Sequence, residues 1–174
     1  MNDIYEKMIP QKVEGKWIAY RVGIILGTVA VSLLGVLLAI GAKNPIPVII
    51  LVPLALVFGV RVFWGMTSIE FEISVMGDVF TLARIYGKRR RKTEIECEIA
   101  SIQLLAPDSE ENRMRAERME PQRFYRAYGS EKEEGKWLLV FEEEKNINAM
   151  LVLTAEEELV KRIRFRKPSA VSFR

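Results

Sequence analysis

Five consecutive positive charges, Lys88-Arg89-Arg90-Arg91-Lys92, follow Gly87 and form the sharpest local concentration of chemistry in the sequence. Such a run near a bilayer attracts anionic headgroups, at about 1 kcal/mol for each basic residue at the surface. The plain alternative is a solvated hairpin tip. Catalytic chemistry has little to draw on. The chain has 0 His and 1 Cys. That composition excludes Ser-His-Asp and Cys-His pairs, His metal sites, an intrachain disulfide and a Cys-cluster zinc site. Glu142-Glu143-Glu144 and Glu156-Glu157-Glu158 lack the spacing of a calcium loop and read as a strand end and a helix start. Glu94, Glu96 and Glu98 alternate along one solvated strand face, where basic neighbours such as Arg84 can pair with them. Cys97, between Ile95 and Ile99, reads as a small core residue. No glycine-rich phosphate loop and no G-x-S-x-G elbow occurs. The expectation is no catalytic residue, no metal, no cofactor and no enzyme.

Two further groups carry contact chemistry. Phe124, Tyr125 and Tyr128 fall within the charged 108–135 region and are candidate contacts for another protein; the alternative is barrel core. Gly23 and Gly27 form a G-x-x-x-G in an apolar helix, which lets helices approach closely. They suit packing against the next helix of the same chain, with homodimerisation as the alternative.

The elements that position these residues divide the sequence in two. Residues 1–66 hold six basic and three acidic residues, and residues 67–174 hold twenty of each sign. The net charge of +3 therefore comes from the front portion and gives no nucleic-acid surface. Val22–Ala42 carries no charge over 21 residues, which covers roughly 31 Å as a helix. Lys43-Asn44-Pro45 follows, then a second apolar run from Ile46. Pro45 and Pro47 suit a first helical turn, and Pro53 should kink the second span. The reading is a transmembrane hairpin with spans of about 18–42 and 46–64. A cleaved signal peptide ending near Ala39-Ile40-Gly41-Ala42 is the competing reading, disfavoured by the length of the run. Lys7, Lys12, Lys16 and Arg21 precede the first span; Arg61, Arg84 and Lys88–Lys92 follow the second; the turn has Lys43. That bias puts both termini in the cytoplasm. Trp17, Tyr20, Phe63 and Trp64 form an interfacial belt, with Arg21 and Arg61 snorkelling as anchors.

From Thr67 the period changes to two, as in a half-buried strand: Ile69, Phe71, Ile73 and Val75 alternate with Ser68, Glu70, Glu72 and Ser74. Further strands are expected over 79–86, 93–99, 101–105, 123–128, 136–143 and 147–153, with a short helix or loop over 108–121. Thr154-Ala155-Glu156-Glu157 reads as a capping box opening a helix that ends before Pro168. The domain boundaries are 1–17, 18–66 and 67–174. The β-rich part is expected to be a mainly-β (α+β) antiparallel barrel or sandwich of about seven strands with a C-terminal helix.

That count and order resemble the pleckstrin-homology-like (PH-like) fold. The opening Met1-Asn2-Asp3-Ile4-Tyr5-Glu6-Lys7, the span-then-strand order and the Thr154–Ile163 helix resemble a family of small uncharacterised Gram-positive membrane proteins. These carry a two-span hairpin followed by a bacterial PH-like domain. The resemblance implies no assigned activity. PH-like folds that bind inositol phosphates use a basic hairpin between the first two strands, whereas the basic run here falls between the second and third. The expected function is a non-enzymatic, membrane-anchored interaction or scaffold module whose partner is another protein. The alternative is sensing of an anionic lipid surface through 88–92. A transporter subunit has no support in two uncharged spans.

Overall fold

The computed structural model describes residues 4–173 except Trp64 and Met66. The element order is β1 (Ile4–Pro10), α1 (Lys16–Ala42), α2 (Ile46–Leu56), a π-helical segment (Val57–Phe63), β2 (Ile69–Met76), β3 (Val79–Tyr86), β4 (Arg90–Glu98), β5 (Ile102–Pro107), α3 (Glu110–Glu117), β6 (Arg123–Ala127), β7 (Lys136–Glu144), β8 (Ile147–Thr154) and α4 (Glu157–Arg166). The chain forms two compact units. One is β-rich and comprises residues 4–12, 70–85 and 91–173; the other comprises 13–69 with the short tip 86–90.

The β unit is a mixed α+β domain of two four-stranded sheets, ordered β1-β2-β3-β4 and β5-β7-β8-β6. The sheets do not close into a barrel. Alternating side chains fill the space between them: Phe71, Ile73 and Val75 of β2, Phe80 and Leu82 of β3, Ile95 and Cys97 of β4, and Leu151 and Leu153 of β8 are buried. Leu159, Val160 and Ile163 give α4 one apolar stripe, also buried. In β7, Leu138, Leu139, Val140 and Phe141 are all 0% exposed, so this strand is covered on both faces. The outer cover is α3, where Ala116 packs with Leu104, Ala106 and Val140. The Ser109 hydroxyl caps α3 by accepting from the Asn112 amide.

Three features differ from the sequence reading. The segment before α1 is a strand, paired antiparallel with β2 from Ile4↔Met76 to Pro10↔Glu70. Tyr5 and Ile9 are each 5% exposed, so residues assigned to a separate N-terminal segment contribute core. The second sheet is also not wholly antiparallel, because β6 and β8 run parallel. The reason is order: β8 inserts between β6 and β7, and both β6 and β8 run opposite to β7. Finally, Thr154 caps nothing. The residue at the start of α4 is Glu156, which makes no side-chain cap, and the Thr154 hydroxyl is buried without a hydrogen-bond partner among the described residues.

In the helical unit α1 has 27 residues. It ends on Lys43 at φ 51°, with the Lys43 and Asn44 amides returning to Ile40 and Ala39 carbonyls. The Asn44 side chain accepts from the Ile46 amide at 3.0 Å, and Pro47 lies in the first turn of α2. The expected continuous second helix instead ends as α-helix at Leu56 and continues as a seven-residue π-helix. Pro53 removes one amide just upstream, and the looser hydrogen-bond pattern begins within a turn of it.

Candidate functional site

The basic run is built on a tight hairpin, not on a five-residue loop. Gly87 and Lys88 both have positive φ, 57° and 58°, and the Arg89 amide returns to the Tyr86 carbonyl at 3.1 Å. Two such residues make the mirror-image turn that matches strand twist. Lys88 and Arg89 occupy the tip; Arg90, Arg91 and Lys92 already belong to β4. All five are exposed. Arg91 is engaged along the sheet, its guanidinium gripping the Glu72 carboxylate at 3.1 and 2.5 Å. The tip folds with the helical unit. The Gly87 amide donates to the Ser68 carbonyl at 2.7 Å, and a Cβ at Gly87 would stand 2.8 Å from the Gly65 carbonyl oxygen. Residue 87 therefore has to be glycine twice over, for its φ and for this approach. The consequence is that Lys88, Arg89 and Arg90 are held where the second helical segment ends.

Around that same exit, Arg21 of α1 donates to the hydroxyls of Thr67 and Ser68 at 3.0 and 3.2 Å. These bonds tie the start of α1 to the chain leaving the helical pair. The Trp17 and Tyr20 rings meet at a tilt of 48° with centroids 5.9 Å apart. Tyr20 and Phe63 line one end of an apolar groove of about 690 Å³ between α1 and the second helical segment. Arg61 is exposed. Trp64, named with this belt, lies outside the described residues.

Gly23 and Gly27 line the same groove, and a Cβ on either would meet nothing within 4 Å. Their expected packing against the second helix is therefore not what the structure places there. The close approaches fall elsewhere. A Cβ at Gly35 would sit 3.1 Å from Leu51 Cβ, and one at Gly59 would overlap the Thr28 hydroxyl. The sequence marked a G-x-x-x-G; the contact glycines are single and sit on different helices, so no spacing rule singles them out.

The aromatic candidates lie on β6 and just after it. β6 stands at a sheet edge, hydrogen-bonded to β8 alone among the described residues. None of the three is core: Phe124 is 66% exposed, and Tyr125 and Tyr128 are half-buried. They border a cleft of about 450 Å³ that also takes in Arg84, Glu94 and Met150. Arg84 and Glu94 pair across strands at 2.9 Å, as the alternation of charges anticipated. The Tyr125 hydroxyl donates to Glu143 at 2.8 Å; burial and that carboxylate hold its pKa above the usual phenol range. The Lys136 ammonium lies 4.6 Å from the Tyr128 ring centre.

The acidic clusters serve the fold. Glu143 and Glu144 receive Arg123, each at 3.1 Å. Glu156 receives Lys7 and the Tyr5 hydroxyl, and the Lys7 ammonium holds its carboxyl below the usual range. This pair joins β1 to the start of α4; the helix was expected from sequence, and β1 was not. The signal was present, since Tyr5, Lys7 and Ile9 alternate with Glu6, but apolar Ile4 and Met8 on the outer face blurred it. No curated protein and no solved structure matches the chain. Residues 2–173 match the family described as Bacterial PH-like domain (DUF6106), which agrees with the two-sheet, helix-capped unit built above, and the chain belongs to that family.

Proposed function

We propose that the protein is a non-enzymatic, membrane-anchored interaction module. In this reading a two-span hairpin holds the PH-like domain at the inner membrane face with both termini in the cytoplasm. The observation that carries this is the register of β1 with β2. Pro10 and Glu70 are partners in one ladder, and all of α1, α2 and the π-helical segment lies between them. A chain that leaves and re-enters the same sheet edge must cross a bilayer twice or not at all. The apolar surface argues for crossing: over the most hydropathic window of Trp17–Ala42, 6% of residues are buried. Water does not tolerate an uncovered apolar rod of that length. The excess of Lys and Arg before α1 and after the second segment gives the direction. Its layout is then that of the small Gram-positive membrane proteins which it resembles. The partner would be an extended protein segment added at the β6 edge beside Phe124, Tyr125 and Tyr128. Anchoring concentrates the module against other membrane proteins, so a small edge suffices. The test is a photocrosslinking residue at Phe124 of the full chain in native membranes. One discrete adduct, lost when Met150→Asp alters the cleft, supports the reading; an unchanged adduct contradicts it.

One observation favours the lipid-surface reading as a second activity of the same molecule. The tip carrying Lys88, Arg89 and Arg90 is fixed by Gly87 to the exit of the helical pair. Three exposed charges there would add about 3 kcal/mol of attraction to anionic headgroups at low salt. Full-length protein in nanodiscs should show slower amide exchange over 86–90 with anionic than with neutral lipid. The difference should shrink with salt and vanish in K88Q/R89Q/R90Q. Equal exchange in both lipids contradicts it.

A further inference from the structure

β5 lies at the outer side of its sheet, opposite in order to β6. Its edge is already covered. After α4 a short turn, Pro168–Ala170, brings the chain back, with Ala170 3% exposed. Val171 then bridges Leu105 in parallel, and the Ser172 amide donates to the Leu105 carbonyl at 2.9 Å. Two residues further along β5 stands Pro107, whose partner on the next strand is Trp137. Two residues further along the covering segment stands Phe173, its ring edge-on to Trp137 at 5.9 Å. The Arg164 guanidinium lies 5.1 Å from the same ring.

The covering segment has two parts of different character. The turn through Ala170 is packed into the domain. Residues 171–173 are held by the bridge and amide bond to Leu105 and by the Trp137 and Arg164 contacts of the Phe173 ring, and Phe173 remains 59% exposed. An edge strand offers unpaired backbone groups as a template. Pro107 has no amide to give, so a segment here gains a short ladder and must win the rest from side chains. In an extended chain residues two apart share a face, so Val171 and Phe173 present an aliphatic group over Leu105 and an aromatic one over Trp137.

We infer that the β5 edge is a docking edge for an extended protein segment of the pattern aliphatic-x-aromatic, running parallel to β5, and that residues 171–173 occupy it as a displaceable strap. The segment seated there defines the chemistry of what fits. A tethered strap competes at an effective concentration in the millimolar range. A partner must either exceed that or meet a chain whose strap has been drawn away. This edge is distinct from the β6 edge, and its test does not depend on where the helices lie.

The probe is a fluorescent peptide with the sequence of residues 170–174, titrated in detergent micelles against the full chain and against a chain ended after Ala170, which keeps the packed turn. The expected result is binding to the shortened chain at least tenfold tighter than to the intact one, lost when the peptide's Val and Phe are replaced by Asp and Ser. Equal binding to both chains, or none to a shortened chain that still melts cooperatively, overturns the inference. A second variant, S172P/F173S in the full chain, removes the amide donor and the ring without shortening the chain and should bind the peptide like the shortened one. If both variants unfold, residues 171–173 are a fixed part of the fold and the strap reading is wrong.

Discussion

Cys97 stands between Ile95 and Ile99 on the inward face of β4, and burial pushes its thiol up to about 12. A thiol that stays protonated is a poor nucleophile. Alkylation at pH 8 should therefore be slow in the native protein and rise at least a hundredfold in denaturant; equal rates would contradict the packing described. The sign of the pH effect on stability follows. The unfolded chain releases the proton near 9.0 and the native chain near 12, so stability from this group is full below 9 and falls as pH rises between the two. Thr154 decides a second point. As the opening of a capping box its replacement would cost about 1 kcal/mol. As a buried hydroxyl without a partner, it should accept Thr154→Val with an unchanged or higher melting temperature. Residue spacing suggested the box because Thr and Glu stand at the right interval. What it could not show is that Lys7, from a strand far away in sequence, meets Glu156 at the helix start.

At the scale of elements, the strands that alternate cleanly were legible. β3, β7 and β8 lie within a residue of their expected bounds and β2 within two; in β2, β3 and β8 one face is the more deeply buried, and the period shows it. Pairing was less legible. The parallel β6–β8 ladder depends on which strand inserts between two others, and no local pattern encodes that. The two-sided burial of β7 depends on α3, whose polar composition hid its covering role. β1 has the largest consequence. A fragment starting at residue 67 lacks Tyr5, Ile9 and a whole edge strand. Such a fragment should aggregate or melt well below the intact chain, and fusing residues 4–12 to its front through a flexible linker should recover the loss; a stable fragment without them would contradict the pairing. The helical pair makes its own prediction. Gly59→Leu must displace Thr28, an overpacking cost of about 1–3 kcal/mol, and should lower the heat-aggregation midpoint of the detergent-purified chain. Gly27→Leu projects into the open groove and should leave that midpoint nearly unchanged. If the groove receives a second copy, the same Gly27→Leu should reduce dimer crosslinking while the midpoint holds.

For the whole molecule, the arrangement that matters is an apolar helical pair inserted between two partnered strands of a PH-like domain. The sequence order alone, span before strand, reads as an anchor followed by a domain. The register makes the anchor an insertion, and an insertion whose ends meet in one ladder ties the number of crossings to an even value. The basic hairpin tip folds with the helical unit, its Gly87 amide bonded to the Ser68 carbonyl. In the β domain the β6 edge is open to an extended partner, and in the proposed reading the β5 edge opens when its strap is displaced. The most direct test is thiol labelling with a membrane-impermeant reagent in intact cells, in a Cys97→Ala background, comparing Asn44→Cys on the interhelical turn with Lys132→Cys, at an exposed position of the β domain, after denaturing quench. The account predicts that Asn44→Cys is labelled from outside and that Lys132→Cys is labelled after permeabilisation and not before. Asn44→Cys protected until the membrane is opened, alongside Lys132→Cys, would contradict the crossing and leave the helical pair on one side of the bilayer.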